Sequence, residues 1–62
     1  MRERLQALLD YWVKHNREHI EEIKEWREKL REDREVAELL ARSIERMEEA
    51  NLLLEEALRK LR

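Results

Sequence analysis

Glycine, proline, cysteine and phenylalanine are all missing from this 62-residue chain, and each absence closes off a class of structure. Without glycine there is no loop of the kind that cradles a phosphate and no residue free to adopt left-handed backbone at low cost. Without proline nothing in the chain forbids helix outright. Without cysteine neither a disulfide nor a thiolate metal site can staple so short a domain. One sign of charge is also lacking in excess: 14 basic residues stand against 16 acidic ones, a formal net charge of −2. Such a chain creates no field that would collect phosphates, so nucleic acid is not an expected partner. No apolar run is longer than three residues, as at Leu52–Leu54, far too short for a membrane span or the core of a signal peptide. A soluble, cytoplasmic protein with no membrane partner is expected.

What fills the chain instead is charge, at 48% of residues, together with strong helix formers. Leu, Glu, Arg, Ala and Lys dominate, which is the composition of helices and their solvated faces. The fold class is therefore all-α. Leu5, Leu9, Trp12, Asn16, His19, Ile23, Trp26 and Leu30 follow alternating steps of four and three, a heptad seam. Leu9, Asn16, Ile23 and Leu30 take its a positions, and Leu5, Trp12, His19 and Trp26 its d positions. Val13 and Ile20 at e widen the stripe, as a bundle requires. A second, equally wide stripe runs from Val36 through Leu40, Ser43, Met47, Ala50, Leu54, Ala57 and Leu61, with Ala37, Ile44, Asn51 and Leu58 beside it.

Between the stripes lie only charged residues, Arg31-Glu32-Asp33-Arg34-Glu35. The spacing predicts a turn there and an antiparallel helical hairpin, helices about 2–31 and 34–61, within a single domain, 1–62. Asp33 is the expected N-cap of the second helix, with Glu35 near the positive end of its dipole. The competing reading is one unbroken coiled-coil helix roughly 90 Å long at ~1.5 Å per residue. Five successive charges would then waste the middle of its interface. Two helices cannot enclose one another's wide stripes, so a homodimer forming a four-helix bundle is expected. Bulky Trp12 and Trp26 should find room opposite the small Ser43, Ala50 and Ala57. Pairs four apart, such as Asp10–Lys14, Glu25–Lys29, Glu38–Arg42, Glu55–Arg59 and Glu56–Lys60, should add a little on the outer faces.

The stretch Trp12-Val-Lys-His15-Asn16-Arg-Glu-His19-Ile20 places two histidines and an asparagine on or beside this seam. If the chain folds back about residue 33, His15 and Asn16 lie level with Ala50 and Asn51, and His19 with Met47. The polar side chains then share one layer and must bond to each other, to water or to an ion. In the plainest reading the layer is structural, because an asparagine at an a position fixes register and oligomer state. The sharper reading uses the i, i+4 spacing of His15 and His19, which directs both imidazoles to one side, where they can bind a divalent transition metal such as zinc or nickel. Glu22, one turn beyond His19, could supply a carboxylate, and Asn16 or Asn51 could orient the imidazoles. No nucleophile, acid–base pair or glycine loop accompanies them: Ser43 is the only serine, and Glu21/Glu22 and Glu48/Glu49 read as solvated helix faces. An enzyme is not expected.

The run Trp12-x-x-His15-Asn16-x-x-His19, followed by Glu48-Glu49-Ala50-Asn51, resembles a family of small, uncharacterised archaeal and bacterial helical domains over about residues 5 to 61. Members carry a His-Asn-x-x-His helix and a Glu-x-Ala-Asn helix, and some follow a histidine-rich metal-binding tract. The resemblance implies a helical hairpin and points toward metal handling at His15, Asn16, His19 and Asn51. This chain departs from the pattern in having Ile20 where a small residue is usual, and in lacking the histidine-rich tract. Its composition is equally that of a designed bundle or a hyperthermophile protein.

Overall fold

The computed structural model describes residues 1–62 and consists of two helices, α1 (Arg2–Lys29) and α2 (Arg34–Leu61). They pack against each other as an antiparallel hairpin 47 Å long and 15 × 12 Å across. The unbroken rod is thereby excluded. The first helix stops two residues short of the expected boundary. Leu30 leaves helical geometry (φ −102°, ψ 19°), and the Asp33 N–H donates back to the Leu30 carbonyl at 2.9 Å, closing the turn. No residue adopts positive φ, which explains how the chain reverses without glycine. Asp33 is the N-cap as expected: its carboxylate accepts from the Val36 N–H at 3.3 Å, with Glu35 in the first turn. At the open end the Gln6 side chain donates to the Leu61 carbonyl at 2.8 Å. It thereby satisfies an acceptor that the end of a helix otherwise leaves to solvent.

The core is thin. Only Leu9, Val13, Ile20, Ile44, Asn51 and Leu58 are buried, none of them completely, with Ile23, Leu40, Met47, Leu54 and Leu61 half-buried around them. On α2 this is the expected stripe. On α1 the buried line runs through the a and e positions, and the d positions of the heptad seam are turned outward. Trp12 is 40% and Trp26 55% exposed, so the two indoles do not enter the hairpin core opposite Ser43, Ala50 and Ala57. A stripe spanning a, d and e is wider than one neighbouring helix can cover. The partner takes the side holding Val13 and Ile20, whose branched side chains pack close, and leaves the bulky side uncovered.

Ion pairing also differs from the spacing-based expectation. The local Glu–Lys and Glu–Arg pairs formed are three apart, Glu21–Lys24, Glu28–Arg31, Arg46–Glu49 and Glu56–Arg59, apart from the adjacent Glu45–Arg46 at 4.0 Å, and none is four apart. Asp10 and Glu55, expected to pair with Lys14 and Arg59, instead reach across to the other helix.

Candidate functional site

The polar layer expected at mid-hairpin is present, but it divides into two separate pairs. Asn51, on the inner face of α2, is 4% exposed. Its amide nitrogen donates to the Val13 carbonyl at 3.0 Å, and its oxygen accepts from the Asn16 amide at 2.9 Å. The Asn16 side chain thus sits level with Asn51 across the helix interface, and no buried side-chain polar atom in the hairpin lacks a partner. A fully satisfied amide pair in an apolar seam costs little and penalises any sliding of the helices, because a shifted register would strand both amides.

The histidines form the second pair, outside the core. His15 and His19 project from adjacent turns of α1 with their Nε2 atoms 2.9 Å apart and their rings edge to face at 4.4 Å between centroids. Tyr11 stacks on His15 from the preceding turn at 5.3 Å. On the far side of His19, Nδ1 lies 3.5 Å from Glu22 Oε1. A neutral imidazole has one donor and one acceptor nitrogen, so one proton arrangement satisfies every contact: His15 Nε2–H donates to His19 Nε2, and His19 Nδ1–H faces Glu22. Two of the assigned roles change accordingly. Asn16 and Asn51 bond to each other and to backbone, and do not orient either imidazole. Glu22 stands on the Nδ1 side of His19, so it orients the ring and is not a third ligand at the converging Nε2 atoms. No group of three or more His, Asp or Glu side chains in the hairpin could hold a metal ion together.

Larger than either pair is the difference between the two long flanks that border the core. One flank is laced across by ion pairs: Asp10–Arg62 at 3.1 Å, Lys24–Glu48 at 3.7 Å, and Arg17–Glu55 between them. An open groove of about 610 Å³ lies along it, lined by charged residues including Arg17, Glu21, Lys24 and Glu48. The opposite flank has no ion pair joining the helices. It carries Leu8, Trp12, His19 and Trp26 from α1 and Leu30 from its C-cap, all exposed, the helical ones about a quarter-turn from the buried line at ~100° per residue. From α2 it carries Val36, Leu39, Ser43, Ala50 and Ala57. Sequence reasoning grouped all of these except Leu8 and Leu39 with the apolar stripes. The signal that could have separated them was the excess width of the α1 stripe.

The fold and its polar layer define a two-helix hairpin module with one charged and one apolar flank. A family model described as a domain of unknown function (DUF8180) matches residues 5–61, nearly the whole chain, and the protein belongs to that family. No curated protein and no solved structure shows significant similarity to the chain. No helix is long and apolar enough to cross a membrane.

Proposed function

We propose that the hairpin is an association module: half of a helical bundle, completed through its apolar flank by a second copy. The carrying observation is how much surface the chain leaves uncovered. It exposes 5373 Å², whereas a compact monomer of 7.8 kDa would expose about 4,400 Å². The excess of about 1,000 Å² is close to the ~800 Å² that each partner contributes to a stable interface. Both tryptophans lie in the uncovered part, and aromatic residues are the type enriched in interfaces. The Asn16–Asn51 pair sets helix register, and neither catalysis nor nucleic acid enters this role. Light scattering on the full chain at micromolar concentration is expected to give twice the chain mass of 7.8 kDa. A monomer up to millimolar concentration would overturn the proposal.

A second reading, divalent transition-metal binding by His15 and His19, draws its support from one distance. Two nitrogens bound to a tetrahedral zinc ion at ~2.0–2.1 Å stand roughly 3.3 Å apart, and the two Nε2 atoms are at 2.9 Å. A small rotation of either ring would let an ion such as zinc or nickel replace the proton they share. Two imidazoles leave the remaining coordination to water or to a partner, so binding would be weak in the single hairpin. Titration calorimetry with zinc and nickel chloride tests this reading. A saturable heat that disappears in the His15→Ala/His19→Ala double variant is expected, and an unchanged heat in that variant would dispose of it.

A further inference from the structure

The apolar flank carries its own instructions for how a second copy would seat. Gln6 with Leu61, Asn16 with Asn51, and Val13 with Asn51 are in contact, so residues whose numbers add to about 66 lie level in this antiparallel pair. On α1 the large outward residues Trp12, His19 and Trp26 recur every seven positions. On α2 the small or slender residues Val36, Ser43, Ala50 and Ala57 do the same. Placed on the common axis, the two rows are out of step by half a repeat. Trp12 is level with the gap between Ala57 and Ala50, His19 with the gap between Ala50 and Ser43, and Trp26 with the gap between Ser43 and Val36. Within one hairpin the rows lie side by side on the same flank and cannot interlock. Turned to face each other they form the knob-and-hole register of a coiled coil.

We propose that two copies stack flank to flank about a twofold axis running along the helices, so that α1 of each lies over α2 of the other and both rows interlock, knob into hole. This rests on the association reading above and adds to it the choice of helix partners. Rotation about a lengthwise axis keeps every residue at its own height, so the half-repeat offset measured within one hairpin is carried unchanged to the interface. Turning the second copy about an axis across the helices would instead set α1 on α1, large row against large row, and leave the small row of α2 facing itself across a gap. Close packing selects the first arrangement.

The polar atoms in the two rows are already supplied. Ser43 Oγ donates to the Leu40 carbonyl of its own helix at 2.8 Å. His19 has His15 at one nitrogen and Glu22 at the other. Covering His19 with Ala50 and Ser43 of the partner therefore strands no donor or acceptor, which gives the shared-proton imidazole pair a role without any ligand. The charged flank, its carboxylates and cations engaged across the helices, stays in solvent.

The chain has no cysteine, so introduced thiols report contacts without background. Chains carrying His19→Cys are mixed with chains carrying Ala50→Cys and oxidised in a glutathione buffer. The mixed disulfide is expected to exceed both like-with-like products at least tenfold. A dimer that yields mainly like-with-like disulfides would overturn the proposed stacking while leaving association intact, whereas a monomer by light scattering would overturn both. As a check independent of the thiols, Ala50→Trp fills the central hole from an exposed site. It is expected to weaken the dimer at least a hundredfold with helicity by circular dichroism unchanged. Undiminished dimerisation would contradict the packing.

Discussion

The two flanks of this hairpin use similar helices in opposite ways. Along one, three ion pairs tie α1 to α2 and leave charged groups in water. Along the other, two tryptophans, Val36, Ala50 and Ala57 are exposed with Ser43 half-buried among them, and no ion pair joins the helices. The chain forms its own inter-helix electrostatic contacts on one side and none on the other. Surface ion pairs contribute little to stability, typically below about 1 kcal/mol each, so the charged flank does little to hold the hairpin together. The apolar flank is where a partner gains most, since buried aromatic area dominates interface energetics.

The comparison breaks most decisively at the tryptophans. Trp12→Ala together with Trp26→Ala is expected to weaken self-association at least a hundredfold, about 2.7 kcal/mol, seen as a melting temperature that falls steeply on dilution. Melting that is independent of concentration in both proteins would show the two flanks to be equivalent. Next in size is Asn51→Ala, which removes the buried amide and leaves the half-buried Asn16 amide without its acceptor. A loss of about 2 kcal/mol is expected, measured by urea denaturation. Because that pair lies between the flanks, the loss should be the same at low and high protein concentration. The double change of Asn16 and Asn51 to Leu should recover stability but permit more than one register, visible as broadened amide resonances. Asp33→Ala removes the cap at the turn and should cost about 1 kcal/mol, again regardless of concentration. Smallest is the charged flank itself: a double-mutant cycle with Arg17→Gln and Glu55→Gln should give a coupling below about 1 kcal/mol that fades in high salt. A coupling of several kcal/mol there would mean that the charged flank, too, is covered in the working assembly.

Much of this architecture could be read from residue order alone. The absence of glycine and proline, the two apolar stripes, and the charged run ending in Asp33 specified helix, turn and helix to within two residues at the poorest boundary. The pairing of Asn16 with Asn51 followed from folding the numbering about the turn. Less legible was which side of the α1 stripe would be buried. Positions a, d and e were all apolar enough to enter a core, and only the contact with α2 chose Val13 and Ile20 over Trp12 and Trp26. The expectation that four polar side chains form one layer failed for the same reason. That choice of face sent Asn16 inward and left His15 and His19 outside, where they bond to each other.

Helical periodicity is a property of the chain, since it depends only on 3.6 residues per turn and on which side chains water rejects. It therefore settled the number of helices, the cap at the reversal and the residues available for burial. The rotation of each helix about its axis depends instead on how two particular surfaces close against each other. Only the folded pair decided that the Asn51 amide would be buried against Asn16, that Asp10, Arg17 and Lys24 would reach across to the other helix, and that the tryptophans would be left facing outward.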